Sequence, residues 1–397
     1  MEWKEVDICQ LCDSVSETYK GNASEVVLIN TSDVLDGKCL NHEYVPNKKL
    51  KGQFKKTFRK GDILYSEIRP ANKRFCFVDF EPKDYIASTK LMILRAHEDI
   101  DPQYLYQILR SNDTLTQLQM LAESRSGTFP QITYSELSNI MVSLPSQKAQ
   151  KNIVSILASL DRKIELNNKI NVDLEEMAQA IFKNWFVDFE PFKNGKFVDS
   201  ELGMIPKGWK VGTLTEIASY MNGLAMQKFP PENNEDSLPV LKIKELGQGF
   251  CGTDSDRCSC NIKDECKIHN GDVIFSWSGT LLVDVWCGGD CGLNQHLFKV
   301  TSKDYPKWFY YYWTKHHLQE FIHIAKDKAV TMGHIKRGHL EEAMVAIPDN
   351  DSMEKAHELF EPILSKMISL RLENSRLSLL RDTLLPRLMS GKLEVPQ

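Results

Sequence analysis

The sequence predicts an α+β protein with two globular domains in tandem, separated by two long helices that pair as an antiparallel coiled coil. Two observations lead to this fold class. The second half of the 397-residue chain repeats the framework of the first, about half the chain length further on. Each half also ends in a long stretch whose apolar residues are spaced alternately three and four apart, which is typical of a heptad seam.

Short phrases of sequence occur once in each half. The clearest is a Gly-Asp turn followed by alternating residues, KGDILYSEI and later NGDVIFSWS, which predicts the start of a half-buried strand. The period is far longer than the roughly 20–50 residues of solenoid repeats, so it indicates a tandem duplication. The matched phrases are Trp3–Val6 with Trp209–Gly212, Gly61–Leu64 with Gly271–Ile274, and Gln131–Pro145 with His334–Pro348.

The first helical signal follows Pro145, with Ser146 in the N-cap position, and the second begins at an Asp351-x-x-Glu354 pattern that resembles a capping box. A buried asparagine weakens a coiled coil but fixes its register. We therefore interpret the seam asparagines as alignment devices, the alternative being ordinary polar positions. The seam residues are Leu157, Leu160, Ile164, Asn167, Asn171, Leu174, Ala178, Ile181 and Trp185, then Ile363, Met367, Leu370, Asn374, Leu377, Leu384 and Leu388, interrupted by Arg381.

These signals divide the chain into five segments. Short alternating runs mixed with helical stretches predict α+β domains at residues 1–145 and 209–348. The first helix is predicted over 146–187, and the second helix with a C-terminal tail over 349–397. Residues 188–208 are rich in Pro, Gly and polar side chains, which predicts a linker.

Composition indicates a globular chain, with 42% hydrophobic and 26% charged residues. No stretch approaches the roughly 18 apolar residues of a membrane span, and the start of the chain lacks the apolar core of a signal peptide. We therefore expect a cytoplasmic protein with no membrane association. The ten cysteines are expected to be reduced thiols there.

Charge is distributed unevenly. The net charge of -5 argues weakly against nucleic-acid binding, but residues 47–60 hold seven basic residues, no acidic one and two phenylalanines. Such a basic stripe can replace the counterions around a phosphate backbone, although a solvated surface loop is an equal alternative. Its basic residues are Lys48, Lys49, Lys51, Lys55, Lys56, Arg59 and Lys60.

A group of cysteines in the second half admits two interpretations. Four thiols and one imidazole within twenty residues could hold zinc, but their spacing is not the paired C-x2-C of a zinc finger or ribbon. We favour reduced cysteines in a turn-rich sheet region and predict no metal. The group consists of Cys251, Cys258, Cys260, Cys266 and His269.

Signatures of catalysis are weak or missing. Gly247–Gly252 matches GxGxxG formally but lacks the preceding apolar strand and the following helix of a cofactor site. The sequence contains no GxxxxGK[ST] loop and no Asn-Pro-Pro-aromatic segment of an adenine methyltransferase. The aromatic run Tyr310–Trp313 and the adjacent His316-His317 pair indicate a core helix rather than a catalytic site. We predict neither catalytic residues nor a cofactor.

The segments SGTFPQITYSELSNIMVSLPSQKAQKNIVSILASLDRKIELNN, LEEMAQAIFKNWFVDFEP, IPKGW and LLPRLMSGKL resemble the specificity subunit of type I restriction–modification enzymes. The resemblance extends along the whole chain. It implies a non-catalytic DNA reader whose globular segments are target-recognition domains, each bound to one half of a bipartite site. It also implies that the helices dock two methyltransferase subunits and that restriction/translocase subunits join the complex.

The residues themselves agree with this geometry. A helix of about 34 residues spans ~50 Å, comparable to ~15 base pairs of B-DNA. Because the two domains diverge in sequence, we expect different half-sites. The alternatives are a self-contained methyltransferase–nuclease, which the missing motifs disfavour, and a helical scaffold with no DNA role, which the divergent domains disfavour.

Arg, Lys, Asn, Gln and hydroxyl side chains read bases or hold phosphates, so such residues are the candidates for DNA contact. In the first domain they are the basic stripe with Arg69, Arg74, Arg125 and Thr128. In the second domain they are Lys242, Lys244, Ser278, Thr280, Lys328, His334, Lys336 and Arg337.

Overall fold

A computed structural model describes residues 3–48, 52–124, 130–232, 236–252, 254–327 and 333–393. The chain divides into two compact units. The first comprises Met1–Arg162 and Ser378–Gln397, and the second comprises Lys163–Leu377. Each unit therefore holds one α+β domain together with part of each long helix.

The first unit contains the strands and helices of the first domain, followed by the start of the first long helix. The strands are β1 Trp3–Asp7, β2 Cys12–Val15, β3 Glu25–Ile29, β4 Val34–Leu35, β5 Lys38–Cys39, β6 Tyr44–Pro46, β7 Phe54–Lys56, β8 Ile63–Ser66, β9 Phe75–Phe77, β10 Tyr85–Ser88, β11 Leu91–Ala96 and β12 Met141–Pro145. The helices are α1 Pro102–Arg110, α2 Asn112–Glu123, α3 Tyr134–Ser138 and the long α4, Gln147–Phe182.

Two four-stranded sheets form the body of the first domain, in the orders β2-β11-β8-β9 and β6-β3-β10-β7. The first sheet is antiparallel, whereas β3 and β10 of the second run parallel. β1 pairs with β12, which brings Trp3 opposite Pro145 and joins the two ends of the domain. Tyr65, Tyr104 and Leu118 lie fully inside the core between the first sheet and helices α1 and α2.

The second unit has a similar inventory. Its strands are β13 Phe197–Val198, β14 Ile205–Pro206, β15 Lys210–Thr213, β16 Ser219–Asn222, β17 Ser237–Leu241, β18 Arg257–Ser259, β19 Lys267–Ile268, β20 Val273–Ser276, β21 Leu282–Val285, β22 Cys291–Leu293, β23 Leu297–Thr301 and β24 Met344–Ile347. Its helices are α5 Leu214–Ile217, α6 Ile243–Gln248, α7 Lys307–His316, α8 Leu318–Asp327, α9 Arg337–Glu342 and the long α10, Asn350–Met389.

The second domain repeats the topology of the first. Its sheets have the orders β16-β23-β20-β21 and β18-β17-β22-β19, with β17 and β22 parallel as β3 and β10 are. β15 pairs with β24 as β1 pairs with β12. The aromatic run Tyr310–Trp313 of α7 is buried in the core, as the sequence predicts, together with Trp308 and Phe309. The duplication read from the sequence is therefore a duplication of fold.

The repeated Gly-Asp phrase forms the same turn in both domains. Gly61 and Gly271 adopt φ of +89° and +93°, a left-handed conformation that favours glycine. The carboxylate of Asp62 accepts two hydrogen bonds of 2.8 Å from Arg95 on β11. The carboxylate of Asp272 lies 2.8 Å from Lys299 Nζ on the equivalent strand β23. A carboxylate and a cation thus join neighbouring strands at the same place in each domain.

Both long helices present their predicted seam positions inward, since each of those residues is buried or half-buried. Helix α4 ends in a π-helical turn, Lys183–Val187. The predicted cap of the second helix needs a correction. Helix α10 starts at Asn350, and Asp349 caps it by accepting a 2.9 Å hydrogen bond from Ser352 N, so Asp351 lies in the first turn.

The helices run antiparallel within each unit. In the second unit, Asn167 of α4 contacts Asn374 of α10, and Phe182, further along α4, contacts Phe360, which is earlier in α10. The two helices therefore run in opposite directions. In the first unit, Leu157 shares a core with Leu385 and Leu388.

The arginine that interrupts the second seam has an ionic partner. Arg381 Nη1 lies 2.8 Å from Asp161 Oδ1, and Asp161 also accepts a 3.2 Å hydrogen bond from Arg110 of α1. These three residues link both long helices to the first domain within one unit.

The predicted linker carries local structure. β13 and β14 form a small antiparallel hairpin, and Phe192 packs edge-on against Trp209 with ring centroids 4.9 Å apart. Over the described ranges, no helix combines the length and the apolarity needed to cross a membrane.

Candidate nucleic-acid interface

The loop after β8 in the first domain is joined to the segment that precedes α3. Arg69 N donates to Pro130 O at 3.1 Å, and Ile132 N donates to Glu67 O at 2.8 Å. Arg69 is exposed and has a φ of 46°. The predicted contacts Arg125 and Thr128 precede this segment and lie outside the described residues.

The second domain contains the same junction. Gly279 N donates to Gly333 O at 2.9 Å, and Ile335 N donates to Trp277 O at 3.1 Å. The loop after β20 is therefore joined to the segment before α9, as in the first domain. The predicted contact Lys328 lies outside the described residues.

A tight turn adjoins each junction, between β10 and β11 in the first domain and between β22 and β23 in the second. In the first turn, Lys90 Nζ lies 3.4 Å from Gln131 Oε1 and 3.6 Å from Glu67 Oε2. In the second turn, His296 Nδ1 lies 3.2 Å from Ser278 Oγ. Each domain thus gathers polar side chains from three loops at one place.

The basic stripe divides into residues with and without a structural role. Lys48, Lys55, Arg59 and Lys60 are exposed, while Lys49 and Lys51 lie outside the described residues. Lys56 is half-buried, and its Nζ donates to Thr89 O at 3.2 Å and Leu91 O at 2.9 Å. Burial lowers the pKa of this ammonium. Lys56 therefore fixes the turn that carries Lys90.

Arg74 also binds its own domain. Its Nη1 donates to Ser32 O at 3.0 Å and to Val34 O at 3.4 Å. A guanidinium has five N–H donors, so this arrangement leaves others for a phosphate.

The lysines predicted in the second domain are paired with carboxylates. Lys242 forms an ion pair with Asp256, and Lys244 Nζ lies 2.6 Å from Asp254 Oδ2. The hydrogen bond that Lys244 donates to Asp254 raises the pKa of this lysine. Both pairs are exposed, so DNA phosphates could compete for the lysines only by displacing the carboxylates.

The remaining predicted residues of the second domain differ in exposure. Thr280, His334, Lys336 and Arg337 are exposed. The Ser278 side chain is buried, and its hydroxyl lies beside His296. Ser278 thus supports a neighbouring imidazole.

A groove of about 590 Å³ lies beside the second-domain turn. Its wall brings the predicted Lys242 and Lys244 together with polar side chains that the sequence analysis did not select, because short polar turns between apolar strands are common. The polar lining residues are Gln227, Lys242, Lys244, Asp256, Arg257, Asn294, Gln295 and His296. Amide, imidazole, ammonium and guanidinium groups of this kind supply the hydrogen bonds that distinguish base edges.

The cysteine group is dispersed into small apolar clusters. Cys258 and Cys266 are buried beside Met226, Val240 and Ile262. Within the described parts of the chain, no set of three or more His, Cys, Asp or Glu side chains is arranged to hold a metal ion.

The whole chain was compared with known protein families. A family model for the type I restriction modification DNA specificity domain matches residues 2–176 and again 206–374. The chain belongs to this family. The two matches fall on the two halves of the duplication. Membership confirms the predicted family, the tandem α+β fold class and the class of non-catalytic specificity subunits.

Two curated relatives match most of this chain. The type I restriction enzyme HindI specificity subunit of Haemophilus influenzae is 29% identical over 99% of this chain and 100% of its own. The MjaIX specificity subunit of Methanocaldococcus jannaschii is 28% identical over 90% of this chain and 85% of its own. A solved type I restriction-modification S subunit from M. genitalium has the same fold, with a TM-score of 0.52 and 15% identity, covering 98% of this chain and 96% of that one.

Proposed function

We propose that this chain is the subunit that gives a type I restriction–modification complex its DNA sequence specificity. The first domain reads one half of an asymmetric bipartite site in double-stranded DNA, and the second domain reads the other half. The chain directs methyltransferase subunits, two per complex, and restriction/translocase subunits to that site. It acts in the cytoplasm and performs no chemistry of its own.

One observation carries the proposal. The same three loops meet at the same place in both domains, but they carry different side chains. Lys90 and Gln131 occupy this position in the first domain, whereas Gln295, His296 and His334 occupy it in the second. Because base-edge recognition depends on side-chain donors and acceptors, equivalent loops with different side chains are expected to bind different base sequences.

The basic stripe supports non-specific affinity in the first domain. Exposed Lys48, Lys55, Arg59 and Lys60 would release counterions on contact with phosphates. Lys55, Arg59 and Lys60 lie on and beside β7, the edge strand whose Lys56 fixes the Lys90 turn, whereas Lys48 follows β6 at the other edge of the sheet. Phosphate contacts next to a base-reading turn would set its register on the duplex.

The test is to express the chain with its methyltransferase subunits and to map methylated bases in the DNA of those cells. We expect one motif made of two unlike half-sites with a fixed non-specific spacer. A single uninterrupted motif, or a palindrome, would contradict the proposal. Methyl transfer by the purified chain alone, given a methyl donor, would favour the self-contained methyltransferase instead.

A further inference from the structure

The turn between β22 and β23 is held rigidly from several sides. Asn294 N donates to Leu241 O at 3.1 Å, and Leu297 N donates to Asn294 O at 3.0 Å. The Asn294 side chain is buried, and its Oδ1 accepts a 3.2 Å hydrogen bond from His296 N. Gly223 lies against the back of this turn, where a Cβ would stand 2.3 Å from Asn294 O, so only glycine permits the approach.

Gln295 occupies the tip of this turn and is exposed. Its Nε2 lies 3.3 Å from His296 Nε2, which leaves Oε1 and a second N–H for a ligand. An amide on a rigid turn is pre-organised, because little backbone freedom is lost when it binds.

The surroundings of Gln295 favour a base edge over a phosphate. The lysines that line the groove with Gln295, Lys242 and Lys244, are already paired with Asp256 and Asp254. Arg257 donates to the Ser237 side chain at 2.8 Å and to its carbonyl oxygen. The lysine charges beside Gln295 are therefore compensated by carboxylates. Arg257 keeps its positive charge, because Ser237 offers it only neutral acceptors, so phosphate binding in the groove falls to Arg257 rather than to Gln295.

We propose that Gln295 reads an adenine in the half-site bound by the second domain. Its Nε2 would donate to adenine N7 and its Oε1 would accept from adenine N6, the bidentate pairing of glutamine with adenine in the major groove. Asn294 is a positioning residue that aims the turn. This assignment rests on the proposed function and adds a residue and a base to it.

The test uses the chain assembled with its methyltransferase subunits and DNA duplexes in which each base pair of the mapped second half-site is replaced in turn. Relative affinities are measured for the unmodified chain, Gln295→Ala, Gln295→Glu and the control Gln319→Ala. Gln319 is an exposed residue of α8 that does not line the groove. The glutamate variant is nearly isosteric, so it decides the question if the alanine variant fails to fold.

We expect Gln295→Ala to lose roughly 5- to 150-fold of discrimination at one A·T pair, corresponding to about 1–3 kcal/mol for a bidentate contact. Gln295→Glu should lose the same preference and move it toward cytosine, because a carboxylate accepts from cytosine N4. Preferences in the first half-site should stay unchanged in every variant, and Gln319→Ala should behave like the unmodified chain.

Unchanged discrimination at every position of the second half-site in Gln295→Glu would overturn the assignment. So would an equal loss of affinity for all duplexes, which would indicate a backbone contact. If the unmodified complex shows no preference in the second half-site, the proposed function fails and this assignment with it. If the second half-site shows a base preference that the Gln295 variants keep, only the assignment of Gln295 to adenine is refuted.

Discussion

Asn167 Nδ2 lies 2.9 Å from Asn374 Oδ1, where α4 and α10 meet in the second unit. The same amide donates to Glu373 Oε2 at 2.8 Å, and Asn374 Nδ2 donates to Asn168 Oδ1 at 2.8 Å. Asn167 is fully buried. These side chains form a polar layer between the helices, and its three hydrogen bonds can form in only one register.

We expect Asn374→Leu to destabilise the protein by about 1–3 kcal/mol, because it removes two hydrogen bonds and leaves part of a buried amide unsatisfied. The contrasting variant is Asn171→Leu. Both polar atoms of the buried Asn171 side chain lack a hydrogen-bond partner in the described structure, so leucine there should raise the melting temperature.

Thermal unfolding followed by circular dichroism measures both variants. Opposite shifts are the expected result. If Asn374→Leu were as stable as the unmodified chain, the polar layer would contribute nothing to the pairing of the helices.

A second prediction separates phosphate contacts from structural lysines. Replacing Lys55 and Lys60 with alanine should weaken binding to all DNA sequences. It should also reduce the slope of log affinity against log salt by about 1.8, since each lost phosphate contact contributes about 0.9. Titrations of the assembled complex at several salt concentrations measure this slope.

Lys56→Ala is the matched variant, because its ammonium binds Thr89 O and Leu91 O. We expect it to leave the salt slope unchanged and to reduce discrimination in the first half-site by loosening the Lys90 turn. A slope that falls with Lys56→Ala but not with the double variant would remove the exposed lysines from the interface.

A third prediction concerns the DNA spacer. Inserting one heptad after Asn171 and one after Arg371, which are nearly opposite in the helix pair, keeps both seams in phase and leaves Asn167 beside Asn374. Seven residues add about 10 Å, or roughly three base pairs of DNA. If helix length sets the spacer, the mapped motif should keep both half-sites and gain about three non-specific base pairs, at some cost in DNA twist. An active variant with the original spacer would show that the helices do not set it.

The periodic features of the fold could be read from the sequence because each depends on residues close together along the chain. The Gly-Asp turns and the heptad spacing are of this kind. Arg381 looked like a defect in the seam, because its partner Asp161 is 220 residues away and becomes visible only once the helices are paired.

The candidate interface was harder to predict from the sequence, because it also depends on residues that are distant along the chain. A run of lysines predicts positive charge, but whether an individual ammonium is available depends on distant partners. Lys56 binds backbone carbonyls more than thirty residues further along the chain, and Lys244 is paired with Asp254. Gln295 carries no signal in sequence, since its exposure depends on the contacts that Asn294 makes with Leu241 and Gly223.

The most direct test of the central claim, that each domain reads its own half-site, is to exchange residues 1–145 for the corresponding segment of a relative with a different motif. Methylated bases are then mapped in cells that express the hybrid with its methyltransferase subunits. We predict that one half-site changes to that of the relative while the other half-site and the spacer stay as they were. A change in both half-sites, or in neither, would contradict the account.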